Sequence, residues 1–278
     1  MSVSFPRLLP ALAAAVLLSS CAALFEPEGP PLQETVWAVT DAGELVRFNA
    51  GQPRRILDRK PVIGLAAGER LVGIDFRVAR GVLYALTSGG RLHTLDTATG
   101  RLSAVGSAPP VLLSGAHVGV DFNPAADRLR VVSDSGLNLR LHPDTGALAA
   151  TDPALSVAGG GRARIAGAAY TYNAKDDKLT TNYAIDLGAG LLMMQGSKDG
   201  VVPAVSPNTG VLSPVGALGT GPLDDASFDI SDVKNTALAA LRQGDRTQLH
   251  LVDLATGRAT LLGTVGDGRA LWGLAIEP

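Results

Sequence analysis

A solitary cysteine in 278 residues, Cys21, has no partner for an intrachain disulfide, so the fold must rest on packing and hydrogen bonds. Aromatic residues are also scarce, at 4%, and the only two tryptophans are Trp37 and Trp272. That scarcity argues against the stacked aromatic platforms of sugar-cleaving and base-binding proteins. Neither sign of charge dominates: 24 lysines and arginines face 26 acidic residues, so there is no broad basic field to hold nucleic acid. No apolar run is long enough to span a bilayer, since the best, Leu8 to Leu18, has about 11 residues where a helix needs about 20. Catalytic signatures are missing as well. There is no Gly-x-Ser-x-Gly elbow. Gly159-Gly160-Gly161 lacks the Gly-Lys-Ser/Thr ending of a phosphate loop and reads as a flexible connection. His93, His117, His142 and His250 lack metal-ligand spacing, so no metal and no cofactor are expected.

What is present begins with an export signal. Arg7 precedes the apolar run, and small residues follow it, so residues 1–20 read as a cleaved leader. The segment Leu18-Ser19-Ser20-Cys21 resembles a bacterial lipobox, which makes Cys21 the expected site of lipidation and the new first residue. Residues 21–34 then form an anchor and a proline-rich linker, including Phe25-Glu-Pro-Glu-Gly-Pro-Pro-Leu32, that holds the rest away from the membrane. Ala22 after the cysteine, by resemblance to Gram-negative lipoproteins, implies the outer membrane of the cell envelope.

The globular part, residues 35–278, is organised by one recurring phrase: Gly73-Ile-Asp-Phe76, Gly119-Val-Asp-Phe122, Gly167-Ala-Ala-Tyr170, Ala226-Ser-Phe-Asp-Ile230 and Gly273-Leu-Ala-Ile276. The steps are about 46, 48, 60 and 46 residues, a period at which a small sheet cannot bury both faces alone and must stack on neighbours. Between the phrases lie short alternating segments and turns such as Ser88-Gly-Gly90, Asp134-Ser-Gly136, Asp144-Thr-Gly146 and Ala255-Thr-Gly257. The expected fold is all-β, a five-bladed β-propeller. The first blade lacks an inner strand and the last phrase has no blade behind it, so the C-terminal strand is expected to pair with the N-terminal blade and close the ring. The third unit is irregular: a strand is expected from Lys178 to Ile185, and extra residues fall around Ser197 to Pro207.

The phrases Gly73-Ile-Asp-Phe76, Gly119-Val-Asp-Phe-Asn-Pro124, Asp127-Arg-Leu-Arg-Val-Val-Ser133, Asn138-Leu-Arg140 and Thr145-Gly146 resemble the bacterial family known as domain of unknown function 4394, over roughly residues 35–276. The resemblance implies an exported propeller-like domain and carries no catalytic residues across.

Candidate site residues come from the repeats. Asp75, Asp121 and Asp229 occupy one equivalent position, either as a carboxylate ring at the channel or as anchors for turns or arginines between blades, in which case each is expected to have an arginine or backbone-amide partner. Arg128 and Arg130 share one strand face and, with Arg140, either bind an anion or pair with those aspartates. Asp224-Asp225 reads as a solvated loop and the two tryptophans as core. The expected role is a monomeric binding module for an envelope protein, glycan or small ligand, without catalysis and without nucleic acid. The alternative is a hydrolase or lyase using Asp, Arg or His residues at the channel mouth.

Overall fold

The computed structural model describes Met1 and residues 28–278. Residues 2–20 of the expected leader, Cys21 and the first part of the expected linker lie outside the described residues. Five sheets follow one another round a ring, and the described residues hold no α-helix, only two single 3-10 turns. Blade 1 contains β1 (Thr35–Thr40), β2 (Glu44–Asn49) and β3 (Ile56–Pro61). Blade 2 contains β4 (Leu71–Arg77), β5 (Val82–Thr87), β6 (Leu92–Leu95) and β7 (Leu102–Ala104). Blade 3 contains β8 (Val118–Asn123), β9 (Arg128–Ser133), β10 (Asn138–Leu141) and β11 (Leu148–Thr151). Blade 4 takes an outer strand β12 (Ser156–Val157) and then β13 (Ile165–Tyr170), β14 (Asn182–Asp186), β15 (Leu191–Gln195) and β16 (Val211–Ala217). Blade 5 contains β17 (Asp225–Ile230), β18 (Ala237–Gln243), β19 (Arg246–Val252) and β20 (Ala259–Thr264), and β21 (Leu271–Ile276) returns to blade 1.

Closure is antiparallel. Val36 faces Ile276, Trp37 faces Ala275 and Ala38 faces Leu274, so β21 becomes the inner strand of blade 1. Glu277 N donates to Thr35 O at 2.8 Å and Arg47 pairs with the Glu277 carboxylate at 2.9 Å, extending the join by one residue. Pairing both ends of the chain in one sheet removes the two open edges that a linear array of blades would expose.

Each junction between blades has its own apolar core. Alternation sends Val36 and Ala38 toward blade 5, where they meet Leu238, Ala240 and Leu249, while Trp37 and Val39 point the other way onto Leu71, Ile74 and Phe76 of blade 2. Val120, Phe122 and Leu129 pack on Tyr84 and Leu86 between blades 2 and 3, and Tyr84 meets Phe122 edge to face at 5.1 Å. Val132 with Ala168, and Ile185 with Phe228 and Leu241, fill the last two junctions. Each buried Leu, Val or Phe contributes roughly 1.5–3 kcal/mol, so stacking rather than any one sheet carries the stability.

The recurring glycine has a packing cause. A Cβ added to Gly119 would lie 2.8 Å from Ala168 N, one on Gly167 would lie 2.8 Å from Phe228 Cβ, and one on Gly273 would lie 2.8 Å from Ile74 N. The inner strands converge there so closely that the channel narrows to about 20 Å³ between these glycines.

Blade 4 departs from expectation in two places. The strand expected from Lys178 begins only at Asn182, because the charged run Lys175 to Lys178 offers no alternation and its side chains turn outward. The two-residue β12 adds a fifth, parallel strand on β16 that no period in the sequence marked.

Candidate functional site

The inner strands β21, β4, β8, β13 and β17 line the channel, and their repeat phrase puts one residue of each at the same depth. Three of these are Asp75, Asp121 and Asp229, all buried at about 5% exposure. Alternation alone would aim the carboxylates at the axis; hydrogen bonding finishes the placement. Asp75 Oδ2 accepts from Phe122 N of the next blade at 2.6 Å, Asp121 Oδ2 from Tyr170 N at 2.8 Å, and Asp229 Oδ2 from Ile276 N at 2.6 Å. Blades 1 and 4 carry Ala275 and Ala169 instead, and there the following blade uses its own acid: Phe76 N donates to Asp75 Oδ1 and Ile230 N to Asp229 Oδ1. Three carboxylates thereby satisfy five equivalent inward amides, each of which would otherwise be a buried unpaired donor.

This gathering has an electrostatic cost. One oxygen from each acid lies within 4.8 Å of the others, close enough for a hard cation to take one ligand from each. Burial, and then the neighbouring charges, push Asp75 and Asp121 well above the usual carboxylate range, and burial raises Asp229 to about 6. The trio therefore binds protons more readily than ordinary carboxylates and titrates as one coupled set. With its oxygens already accepting amides, it acts as a structural hub.

Beyond the acids the channel opens into a cavity of about 430 Å³ walled by Phe76, Phe122, Tyr172 and Val233. Asp232 lies there too. Its own burial and the Asp229 charge raise it to about 7, and no repeat position marked it in the sequence. At the rim Arg77 is buried and forked between Asp127, at 2.5 and 2.8 Å, and Asp144 at 2.5 Å, which ties blade 2 to blade 3.

The arginines did not follow the acids. Arg130 stands opposite Asp121 in the register of β8 and β9 but makes no bond to it. Its guanidinium, 1% exposed, donates instead to Tyr170 Oη at 2.6 Å, to Asn138, to Asn208 at 2.5 Å and to Asp152 at 3.2 Å. Arg140 forks onto the same Asp152 at 2.8 and 2.9 Å. The expected pairing of arginines with the repeat aspartates is thus corrected: the backbone amides occupy the acids, and Asp152, just past the outer strand of the same blade, serves Arg130 and Arg140. Arg128 bonds only the carbonyl of Asp127 among the described residues.

These three arginines share one cavity of about 350 Å³ between blades 3 and 4, which also takes Lys178, Lys198 and Asn208. Its outer wall is the long connection from β15 to β16. That connection is pinned: Asp199 accepts from Asn173 Nδ2 at 2.8 Å and exchanges bonds with Thr181, Ser197 N donates to Val205 O, and Asn208 receives Arg130. The irregular stretch of the third repeat is therefore a built wall rather than padding. Lys178 and Lys198 were not singled out in the sequence, since neither belongs to a repeat position.

At the opposite mouth, where the inner strands begin, His117 Nδ1 pairs with Asp225 Oδ1 at 2.8 Å. Asp225, expected to solvate a loop, is half-buried and opens β17. Trp37 is core as expected, with Arg47 and Lys60 over its ring at 5.7 and 5.5 Å. Trp272 is only partly buried and lines the mouth beside His117.

A ring of five repeat sheets closed through its own C-terminal strand, with acids at one register of the channel, defines a five-bladed β-propeller. The chain belongs to the family described as Domain of unknown function (DUF4394), whose model matches residues 44–275. Among curated proteins no match is found. Solved structures with partial similarity include the nidogen/laminin complex, at 13% identity over 88% of this chain and 98% of that one with a TM-score of 0.49. The glutaminyl cyclase of Myxococcus xanthus follows at 14% identity, 77% and 84% coverage and a TM-score of 0.47. A protein of unknown function from Bacteroides thetaiotaomicron shows 11% identity, 83% and 58% coverage and a TM-score of 0.49. At such scores these likenesses carry no argument about what this chain does.

Proposed function

We propose that this chain is an exported, lipid-anchored propeller of the bacterial envelope that binds a small anionic ligand in the cavity between blades 3 and 4. The observation that carries the reading is the charge of that cavity. Arg128, Lys178 and Lys198 face it without a carboxylate partner among the described residues and outnumber the one lining acid, Asp199, while the chain as a whole is slightly acidic. Arg130 and Arg140 add charge behind them, tempered by Asp152. A cationic recess on a net-negative surface concentrates anions locally and offers charge-assisted bonds to carboxylate or phosphate. In this reading Asp75, Asp121 and Asp229 brace the scaffold, Arg130 positions the wall, and Arg128 with Arg140 reaches the ligand. The leader and Cys21 support the export and anchoring half of the proposal.

Calorimetric titration with inorganic phosphate and with citrate tests the binding half. Loss of one charge-assisted contact is worth about 1.5–3 kcal/mol, so Arg128→Ala should weaken binding roughly 10- to 100-fold. No heat with either anion, or equal affinity in the variant, refutes it. Incorporation of labelled palmitate into the wild type but not into Cys21→Ser tests the anchor separately.

A further inference from the structure

The mouth at which the inner strands begin is chemically unlike the rest of the ring. Four blades place a charged or titratable side chain here and the fifth an indole. Arg70 stands immediately before β4, His117 before β8 and Arg164 before β13, while Asp225 opens β17 and Trp272 lies one residue into β21. All but Arg164 line one cavity of about 190 Å³, whose remaining walls include Val72, Val118 and Leu271. Arginine, histidine, aspartate and tryptophan from four blades meeting in one cavity at one end of the channel have the form of a site rather than of a packing solution.

The polar groups in it are oriented. His117 Nδ1 is held by Asp225 at 2.8 Å, and Asp225 is itself fixed by Ala226 N at 2.9 Å. The backbone of the His117 segment is clamped by Asp134, whose Oδ1 accepts from Ala116 N at 2.9 Å and from His117 N at 3.2 Å. That leaves His117 Nε2 without a hydrogen-bond partner among the described residues. Arg70 has no carboxylate partner among them either; it reaches only the carbonyls of Leu71 at 3.3 Å and Ala116 at 3.4 Å, while its guanidinium sits 6.0 Å from the Trp272 ring centroid. The hydrogen bond to Asp225 raises the imidazole toward its charged form, against the opposing effects of burial and of Arg164. The cavity thus combines a flat indole, a cation with open donors and an imidazole with one open nitrogen, and its one acid is already neutralised.

We infer that this mouth is a second binding site, for a small aromatic carboxylate whose acid group meets Arg70 and His117 Nε2 and whose ring lies against Trp272. Size agrees: an apolar cavity of about 150 Å³ accommodates benzene, and the space here is slightly larger. The site is independent of the cavity between blades 3 and 4, which lies toward the other ends of the inner strands.

Benzoate is the probe, followed by NMR on the full chain. The two indole N–H signals and the four imidazoles can be assigned with Trp272→Phe and His117→Gln. Benzoate should shift the Trp272 and His117 signals saturably, leave Trp37 unmoved and raise the titration midpoint of His117. Acetate, lacking the ring, and benzyl alcohol, lacking the charge, should each bind at least tenfold more weakly. Arg70→Met should weaken benzoate at least tenfold and Arg70→Lys less, whereas Arg128→Ala should leave it unchanged. The inference is overturned by an absence of saturable shifts, by equal binding of benzyl alcohol, or by unaltered affinity in a folded Arg70→Met protein.

Discussion

Replacing Asp229 with asparagine probes the channel acids directly, because this residue ties blade 5 to the closing strand and its raised pKa makes the effect depend on pH. In the folded chain burial moves its carboxyl from 3.8 to about 6. The native state therefore holds the proton more tightly than the unfolded chain. The resulting contribution to stability is complete below pH 3.8 and is lost as pH rises through about 6. A shift of roughly 2 units corresponds to about 3 kcal/mol lost between acid and neutral pH from this one group. Asparagine carries no such dependence. It does place an N–H₂ where one oxygen accepted from Ile230 N or Ile276 N, leaving a buried donor unpaired at about 1–3 kcal/mol. Asp229→Asn should accordingly be less stable than wild type near pH 4 by roughly that amount, and equal or more stable near pH 7.5. Removing the Asp229 charge also relieves Asp75 and Asp121, both of which it raises, and so strengthens the neutral-pH gain. Urea unfolding of both proteins at several pH values measures the difference. A difference that stays constant from acid to neutral pH would refute the coupled-titration account of the trio.

Two further substitutions test the remaining architecture. Arg130→Met strips Tyr170, Asn138 and Asn208 of a buried donor and weakens the hold on Asp152; urea unfolding should show a loss of about 3–5 kcal/mol, and a loss below about 1 would mean the buried hub is dispensable. Deleting residues 271–278 unpairs the inner edge of β1 and removes the Ile276 amide from Asp229, so limited proteolysis should cut the truncated chain rapidly near Trp37, whereas a resistance equal to the full chain would show that closure is unimportant.

The ring was legible because it is written in local spacing. Glycine recurs where inner strands converge, alternation marks which side of each strand is buried, and an orphan last phrase at one end of the chain matches a missing one at the other. The position of Asp75, Asp121 and Asp229 was readable for the same reason. That each buried acid needs an arginine or backbone-amide partner was readable too, but not which one, since the pairing of Phe122 N with Asp75 or of Ile276 N with Asp229 depends on how far one blade leans over the next. Arg130 misled because strand register sets it opposite Asp121, yet its long side chain reaches a carboxylate on the outer part of the blade. His117 and Asp225 are 108 residues apart and meet only across the channel, so nothing short of the assembled ring joins them. Lys178 and Lys198 lie in the part of blade 4 that breaks the period, where alignment of repeats has least to offer.

The uneven sharing of three acids among five amides means that the ring's seams are not equivalent. Blades 2 and 3, 3 and 4, and 5 and 1 are stitched at the axis by a carboxylate reaching from one to the other. The 1–2 and 4–5 seams are fastened farther out without a carboxylate, by the backbone bridge of Ile63 with Arg101 and the Lys60 bond to Thr97 O in one and the reciprocal bonds of Tyr172 with Asn235 in the other. Deprotonation, by crowding negative charge at the axis, should loosen the first three and leave the other two untouched. Alkaline breathing of this closed ring would then be lopsided, with the protection of the Phe122, Tyr170 and Ile276 amides, relative to the base-catalysed rate of an open chain, falling while that of Ile63 and Tyr172 holds steady.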